Sequence, residues 1–376
     1  METWTDSQAA DVTPDPLTLW AVPVADLGGV ARHVLDVAAV GLPGLRLAVL
    51  CPEGPLAERL RALGAAVFVG PFGPDDGTLA SVRTLRRLVR TLRPAVVHTH
   101  LAYADIVAGI ALAGDRKVGL ISSEHGIAPD DALYNAGPAT AKVTNLAHRG
   151  RLARTQRVIA VSESTKRVLE AKWRPRCPVT VVPNGVDLDA VRAAASAERR
   201  TVGEGLRVLS LSRLSPEKGL DRLVAAMPLL LQKDPQARLT LAGTGPLAGQ
   251  LQSQAGRLGV GDAVDLPGFV EPWHTMAQHD VLVQLSCWEN LSYTLLDAAA
   301  AGLPAVATDV GGNGEILPPE RLVHATTPAA IAAAVGRAAA EGPGEVRVGD
   351  VDTMARATAE ATLEVLGRRV GKGGHR

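Results

Sequence analysis

Aromatic residues make up only 3% of the chain, so stacking platforms are scarce, which argues against single-stranded nucleic-acid binding. An excess of one charge is also missing. Thirty-nine Lys and Arg balance 39 Asp and Glu, so the net charge supplies no attraction to nucleic acid or to any strongly acidic partner. The three cysteines, Cys51, Cys177 and Cys287, are odd in number and far apart, which excludes a disulfide framework and a CxxC metal site and suits a reducing compartment. No uncharged apolar run reaches about 18 residues, and the opening Met-Glu-Thr-Trp-Thr-Asp has neither a basic nor an apolar leader region. A cytoplasmic chain without a membrane span is expected.

What is present is a folded, soluble composition, 47% hydrophobic and 21% charged, over 376 residues, enough for two domains. Short apolar runs alternate with longer helical stretches. Strands are expected at 17–24, 45–50, 65–69, 95–99, 118–122, 157–161 and 178–182, with helices such as 29–40, 55–63, 78–92 and 102–113 between them. The rhythm lapses over Ala193 to Gly205 and resumes with strands at 206–211, 238–242, 264–266, 280–285, 304–308 and 321–324. Continuous apolar strands separated by helices signal parallel sheets covered on both faces. The fold class is α/β: two Rossmann-like doubly wound parallel-sheet domains facing a cleft, spanning 1–190 and 203–350. A C-terminal helix and tail, 351–376, can pack back on the first domain. Residues 1–16 and Gly371 to Arg376 read as loose ends.

The acid pair Glu289 and Asp297 stands out, because strand 280–285 delivers Glu289 and an alanine-rich helical segment carries Asp297. In helical geometry eight residues rise about 12 Å, close to the separation of the two sugars of a nucleotide-sugar. Other loops at strand ends add to this. Gly28-Gly29 opens a helix and lets backbone amides approach a phosphate or a sugar. In Arg213-Leu-Ser-Pro-Glu-Lys-Gly219, Ser215-Pro216 reads as a helix start with Lys218 in the first turn, a cationic site for a diphosphate that needs no metal. The competing reading pairs these cations with Glu217 or Asp221. Gly243-Thr-Gly245-Pro246 and Gly268-Phe269-Val270 are tight turns suited to a nucleobase edge or to simple connection, and Gly311-Gly-Asn-Gly-Glu315 is another glycine-rich loop in the same row.

His125, ending strand 118–122, is open between a sugar contact and a structural role. His98 and His100 share one strand face and read as packing, since no third metal ligand stands at a suitable spacing. Asp187/Asp189 and Asp350/Asp352 read as helix caps rather than metal holders. Val82 to Leu92 is amphipathic, with Arg83, Arg86, Arg87 and Arg90 on its polar face, a solvated surface or a contact for anionic lipid. Lys142 to Arg157 is a second basic cluster with the same two readings.

Taken in order, Gly28-Gly29, Ser123-Glu124-His125-Gly126, Val158 to Ser162, Val182-Pro-Asn-Gly-Val-Asp187, Ser212-Arg213-Leu214 through Lys218-Gly219, Gly243 to Pro246, Gly268 to Val270, the acid pair and Ala301-Gly-Leu-Pro304 through Gly311-Gly312 resemble glycosyltransferase family 4. These are retaining nucleotide-sugar transferases of the GT-B fold. The resemblance runs from about Leu17 to about Ala340. It implies an N-terminal acceptor domain and a C-terminal donor domain. Arg213 and Lys218 would hold the donor diphosphate, Glu289 the donor sugar, with main-chain amides of Asn290 and Leu291 beside it. Asp297 would hold the ribose, His125 would lie near the anomeric carbon, and Gly28-Gly29 would border the acceptor and diphosphate. No cofactor or metal is implied. The donor is a nucleoside-diphosphate sugar, a UDP-sugar in preference to a GDP-sugar, the acceptor a hydroxyl compound, and the assembly a monomer or homodimer. Two departures stand out: the family's second acid is Glu where this chain has Asp297, and Ser292 replaces a frequent proline. A sugar-nucleotide 2-epimerase of the same fold and a sugar-nucleotide-binding protein without turnover are the alternatives.

Overall fold

A computed structural model describes residues 14–127, 148–197 and 205–373. The ends at 1–13 and 374–376, the stretch 128–147 with Lys142, and the link at 198–204 lie outside the described residues; of the second basic cluster, Arg151 and Arg157 are buried in ion pairs with Asp105, Glu124 and Glu364 rather than set on a solvated face. The first sheet comprises β1 (Leu17–Ala21), β2 (Arg46–Cys51), β3 (Ala66–Val69), β4 (Val96–His100), β5 (Gly119–Glu124), β6 (Arg157–Ala160) and β7 (Val179–Val181). Its order is β3-β2-β1-β4-β5-β6-β7 and every pairing is parallel. Between the strands run α1 (Gly29–Val40), α2 (Pro55–Ala62), α3 (Thr78–Leu92), α4 (Ala102–Ala111) and, after β6, α5 (Glu163–Trp173). Each expected strand is found within a residue or three of its expected ends; the central strands are buried along most of their length and carry an unbroken apolar signal, while β3 and β7 are part-exposed edges.

After β8 (Gly185–Val186) and α6 (Leu188–Ala197), the second sheet is built from β9 (Arg207–Leu211), β10 (Arg238–Ala242), β11 (Val264–Gly268), β12 (Val281–Gln284), β13 (Ala305–Thr308) and β14 (Leu322–Val323). Its order is β11-β10-β9-β12-β13-β14, again parallel. The helices α7 (Leu220–Lys233), α8 (Ala248–Arg257), α9 (Pro272–Ala277), α10 (Tyr293–Ala300), α11 (Asn313–Ile316) and α12 (Pro328–Glu341) cover it. Strand order reverses between β1 and β4 in one sheet and between β9 and β12 in the other. Ligands of doubly wound sheets bind beyond the carboxyl ends at such switch points. Gly28-Gly29 follows β1, His100 ends β4, Arg213 follows β9 and Glu289 follows β12, so both switch points carry expected site residues.

A short strand β15 (Gly349–Asp350) pairs with β8 and leads into α13 (Val351–Gly373), a connection the sequence pattern does not signal. Gly185 is required there, since a Cβ would overlap the Asp350 backbone. Helix α13 buries Val351, Met354, Ala355, Ala359 and Val365 in one core cluster with Val34 and Val37 of α1. Asp187 and Asp350 accept from Ala190 N at 2.9 Å and Thr353 N at 2.5 Å, the capping expected of the two Asp-x-Asp pairs. Among the described residues no helix is long and apolar enough to cross a membrane. Helix α3 buries Val82, Leu85 and Val89 and exposes Arg83, Arg86, Arg87 and Arg90; Arg86 also donates to the carbonyls of Ile110 and Ala111 at the end of α4.

Candidate active site

The loop after β9 departs from expectation. Pro216–Lys218 forms a single 3₁₀ turn, Gly219 follows with φ +61°, and the α-helix starts only at Leu220. Ser215 gives no side-chain cap, because its hydroxyl donates instead to Glu217 Oε1 at 2.7 Å. Lys218 therefore sits ahead of α7 rather than inside its first turn. The Arg213 guanidinium, 76% exposed, donates to the same Glu217 carboxylate at 2.9 Å, so the pairing weighed as the alternative for these cations is realised at Arg213. Lys218 instead reaches across to Glu289 and pairs with its Oε1.

Glu289 lies in the loop before α10, three residues ahead of the N-cap Ser292, so the helical spacing to Asp297 does not apply. Ser292 makes a cap where a proline cannot: its hydroxyl accepts from Leu295 N at 3.3 Å and donates to Gln284 at 2.7 Å. Ser286 donates to Glu289 Oε1 at 2.7 Å. Behind this loop Gly311 and Gly312 press so closely that a Cβ on either would overlap the carbonyl of Glu289 or Asn290. Gly312 N–H in turn donates to Asn290 O at 2.7 Å. The loop is thus held on a rigid backing, as a site requiring fixed carboxylate geometry demands. Along the row, Gly243 N–H donates to Gly268 O at 2.7 Å and joins the two turns, and Gly245 packs on the Leu214 backbone. Phe269 between Gly268 and Val270 is 82% exposed.

Asn290 crosses to the first domain, where its Oδ1 accepts from Ile127 N at 3.1 Å, directly after His125-Gly126. Asn184 returns the contact by donating to Leu291 O at 3.1 Å. Glu315 accepts from the backbone N–H groups of Glu163 and Ser164 at 2.9 and 2.8 Å and so occupies the N-terminus of α5, a use of a carboxylate that fits the helix dipole. Gly28 opens α1 with no side-chain cap and no neighbour within 4 Å of where its Cβ would stand; Gly29 faces Tyr293 of the other domain at 3.9 Å. Among the described residues no side chain therefore caps this helix start.

His125 belongs to a group. His100 Nδ1 and His125 Nε2 are 2.8 Å apart, His33 of α1 lies edge-on to His125 at 4.7 Å between rings, and His98 stacks on His100 at 4.7 Å. Trp20 of β1 stacks on His33 and tilts against His100. Burial pushes all four imidazoles below the ordinary range, His33 to about 4 and His98 to about 3, so each is neutral at pH 7. Beneath them Arg151 pairs with Asp105 and Glu124, and Thr99 and Ser122 donate to Asp105. This buried polar network ties Arg151 and Asp105 to the ends of β4 and β5.

Asp297 is held rather than open. It is 2% exposed, and both its oxygens accept from Arg32 of α1, at 2.5 and 2.8 Å. Arg32 also lies 4.5 Å over the Tyr293 ring and 3.5 Å from Asp36. Burial works against charge on Arg32, but the Asp297 bonds and the two carboxylates raise its pKa all the same. Asp36 is pushed up to about 6 by burial, with Asp297 adding to the shift and Arg32 opposing it. Its charged form is therefore disfavoured in the folded state, and the resulting loss of stability develops between about pH 4 and pH 6 and is complete above that. Asp36→Asn is expected to raise stability by roughly 3 kcal/mol at pH 7.5 and by only about 1 kcal/mol at pH 4.5, read as the difference in Tm from wild type at each pH. A gain that is larger at pH 4.5 would contradict the assignment.

Sequence reasoning misses Arg32, His33, Asn184 and Glu315, since each acts on a partner more than 90 residues away. A cavity of about 690 Å³ lined by Leu206, Asp280 and Pro304 is at the amino ends of β9, β12 and β13, on the side of the second sheet away from these groups.

Two family models match the chain: Glycosyltransferase Family 4 over residues 27–190 and Glycosyl transferases group 1 over residues 192–349. Glycogen synthase of Mycobacterium tuberculosis is 30% identical over 329 residues, covering 79% of this chain and 78% of that protein. The GDP-mannose-dependent alpha-(1-6)-phosphatidylinositol monomannoside mannosyltransferase of the same organism is 34% identical over 176 residues, 43% of this chain and 46% of that one. Anabaena HepE, solved with UDP-glucose, superposes with a TM-score of 0.72 at 21% identity, over 94% of this chain and 95% of that chain, and shares the GT-B fold. The chain belongs to glycosyltransferase family 4.

Proposed function

We propose that the chain transfers a glycosyl group from a UDP-sugar to a hydroxyl acceptor with retention at the anomeric carbon. The observation that carries this reading is the Lys218–Glu289 pair at the β9/β12 switch point, joined through Asn290 to the backbone beside His125. Lys218 and Arg213 bind the donor diphosphate and neutralise it as the sugar–phosphate C–O bond breaks. Glu289 takes donor-sugar hydroxyls, flanked by the Asn290 and Leu291 amides, and neutral His125 accepts from a sugar hydroxyl near the reacting carbon. The acceptor oxygen bonds the anomeric carbon on the face the phosphate leaves, and a phosphate oxygen takes the acceptor proton. The turns at Gly243, Gly245, Gly268, Phe269 and Val270 border the base, and Asp297 holds the ribose once Arg32 has turned aside. The first domain takes the acceptor, with the basic face of α3 as the surface for an anionic or membrane-held one. A UDP-sugar is preferred by likeness to HepE, whose solved complexes contain UDP and UDP-glucose.

Slow hydrolysis of UDP-glucose without acceptor tests the stereochemistry. The account of retention expects α-glucose as the first product by proton NMR; β-glucose appearing first would refute it. The helix start gives a further expectation. Gly28→Ala places a methyl where the protein has no atom within 4 Å, so Tm should stay within about 1 °C, yet kcat/KM should fall at least about tenfold if the donor phosphate or acceptor lies against those amides. Unchanged kcat/KM would remove Gly28 from the site.

A further inference from the structure

We propose that His33, His100 and His125 form a three-imidazole site for a divalent late-transition-metal ion, with Zn²⁺ as the first occupant to test. One ligand nitrogen from each ring lies within 4.8 Å of the other two. Zinc–imidazole bonds of about 2.0–2.1 Å in tetrahedral geometry require nitrogens roughly 3.4 Å apart, so modest ring rotations suffice. The donor set is the one borderline-soft ions favour, with no carboxylate among the three. His33 supplies the independent observation. It is 2% exposed, and beyond the Asn184 side chain, which raises its pKa against the burial that lowers it, at least one of its two ring nitrogens is left without a partner. His100 Nε2 is likewise buried and unpartnered.

Buried polar atoms left unmatched are costly, and a cluster of them marks a place where a ligand is missing. A shared ion would take one nitrogen from each of the three imidazoles, lowering that cost, and would replace the direct His100–His125 hydrogen bond. His125 is the partly exposed member, so an ion reaches the site from the cleft and keeps a fourth position open on that side. Sequence spacing hides the site because its ligands come from α1, the end of β4 and the residue after β5. A bound ion would tie α1 to the two strands, and with it Arg32, the residue before His33. Binding does not depend on the transferase reading, and because an ion-bound imidazole has no lone pair left to accept from a sugar hydroxyl, the ion-bound form is distinct from the one that holds the donor sugar.

The test is titration of the full-length, metal-stripped protein with Zn²⁺ by calorimetry and with Co²⁺ by visible absorption. Wild type should take up one ion per chain with a micromolar or tighter Kd, show the intense visible bands of four-coordinate Co²⁺, and rise in Tm with excess Zn²⁺. His125→Gln and His33→Gln should each weaken binding at least about 100-fold, while His98→Gln, which changes a ring outside the trio, should bind as wild type does. Because His33→Gln changes a core position, His125→Gln at the cleft carries the same test should it fail to fold. Wild type that takes up neither metal, or His125→Gln that binds Zn²⁺ as tightly as wild type, overturns the proposal.

Discussion

Lys218→Ala is expected to lower kcat by about 10²- to 10³-fold, the loss typical of removing one preorganised charge from a developing anion. The fold should survive. Lys218 lies in a 3₁₀ turn at the cleft, its side chain is 19% exposed, and its partner, Glu289, keeps the hydroxyl of Ser286. Far-UV circular dichroism and Tm should therefore match wild type closely while initial rates with UDP-sugar collapse. Lys218→Arg should recover only part of the activity, since a planar guanidinium is longer and directs its donors differently from a compact ammonium. Equal turnover by Lys218→Ala and wild type would remove Lys218 from the chemistry and leave its pair with Glu289 a surface contact.

Asp297→Ala should produce the largest loss of stability of any change at the cleft. It removes both acceptors of the Arg32 guanidinium and leaves a mostly buried cation with only Asp36, at 3.5 Å. Breaking a buried pair from one side typically costs about 3–5 kcal/mol. Arg32 is 26% exposed and keeps a second carboxylate, so roughly 3 kcal/mol is expected, read as a shift in denaturation midpoint. The double variant Arg32→Met/Asp297→Ala should be more stable than Asp297→Ala alone, because the stranded charge is gone. A double variant no more stable than Asp297→Ala would show that the pair contributes little. Asp297→Glu is informative for another reason. The added methylene pushes the carboxylate into Arg32, so the shorter acid matches the bidentate pair it makes across the cleft.

The strands and most helices are legible in the residues because each is a local signal. The run Val281 to Gln284 is apolar enough to mark β12 by itself, and Gly28-Gly29 followed by an amphipathic stretch marks the start of α1. The order of loops along the chain is equally legible, and with it the membership of glycosyltransferase family 4. What stays hidden depends on partners distant in sequence. Arg32 gives no sign that its partner is Asp297, 265 positions away, and a lone Glu315 does not announce that it will sit on the N-terminus of α5. His98 and His100 read as packing for the same reason, since His33 on α1 and His125 after β5 join them only in the folded chain. The local misreading at Ser215-Pro216 has a different origin. The N-cap signature is correct in kind, but Glu217 captures the serine hydroxyl and Gly219 turns the backbone before the helix can begin.

Thermal denaturation with UDP, GDP and ADP at equal concentrations tests the donor reading most directly. A nucleotide present at about 100 times its Kd stabilises the folded state by roughly 2.7 kcal/mol. UDP should raise Tm by several degrees and by more than GDP or ADP, and Lys218→Ala should lose most of the UDP shift. A Tm unmoved by all three nucleotides would contradict the assignment of this cleft to a nucleoside-diphosphate sugar.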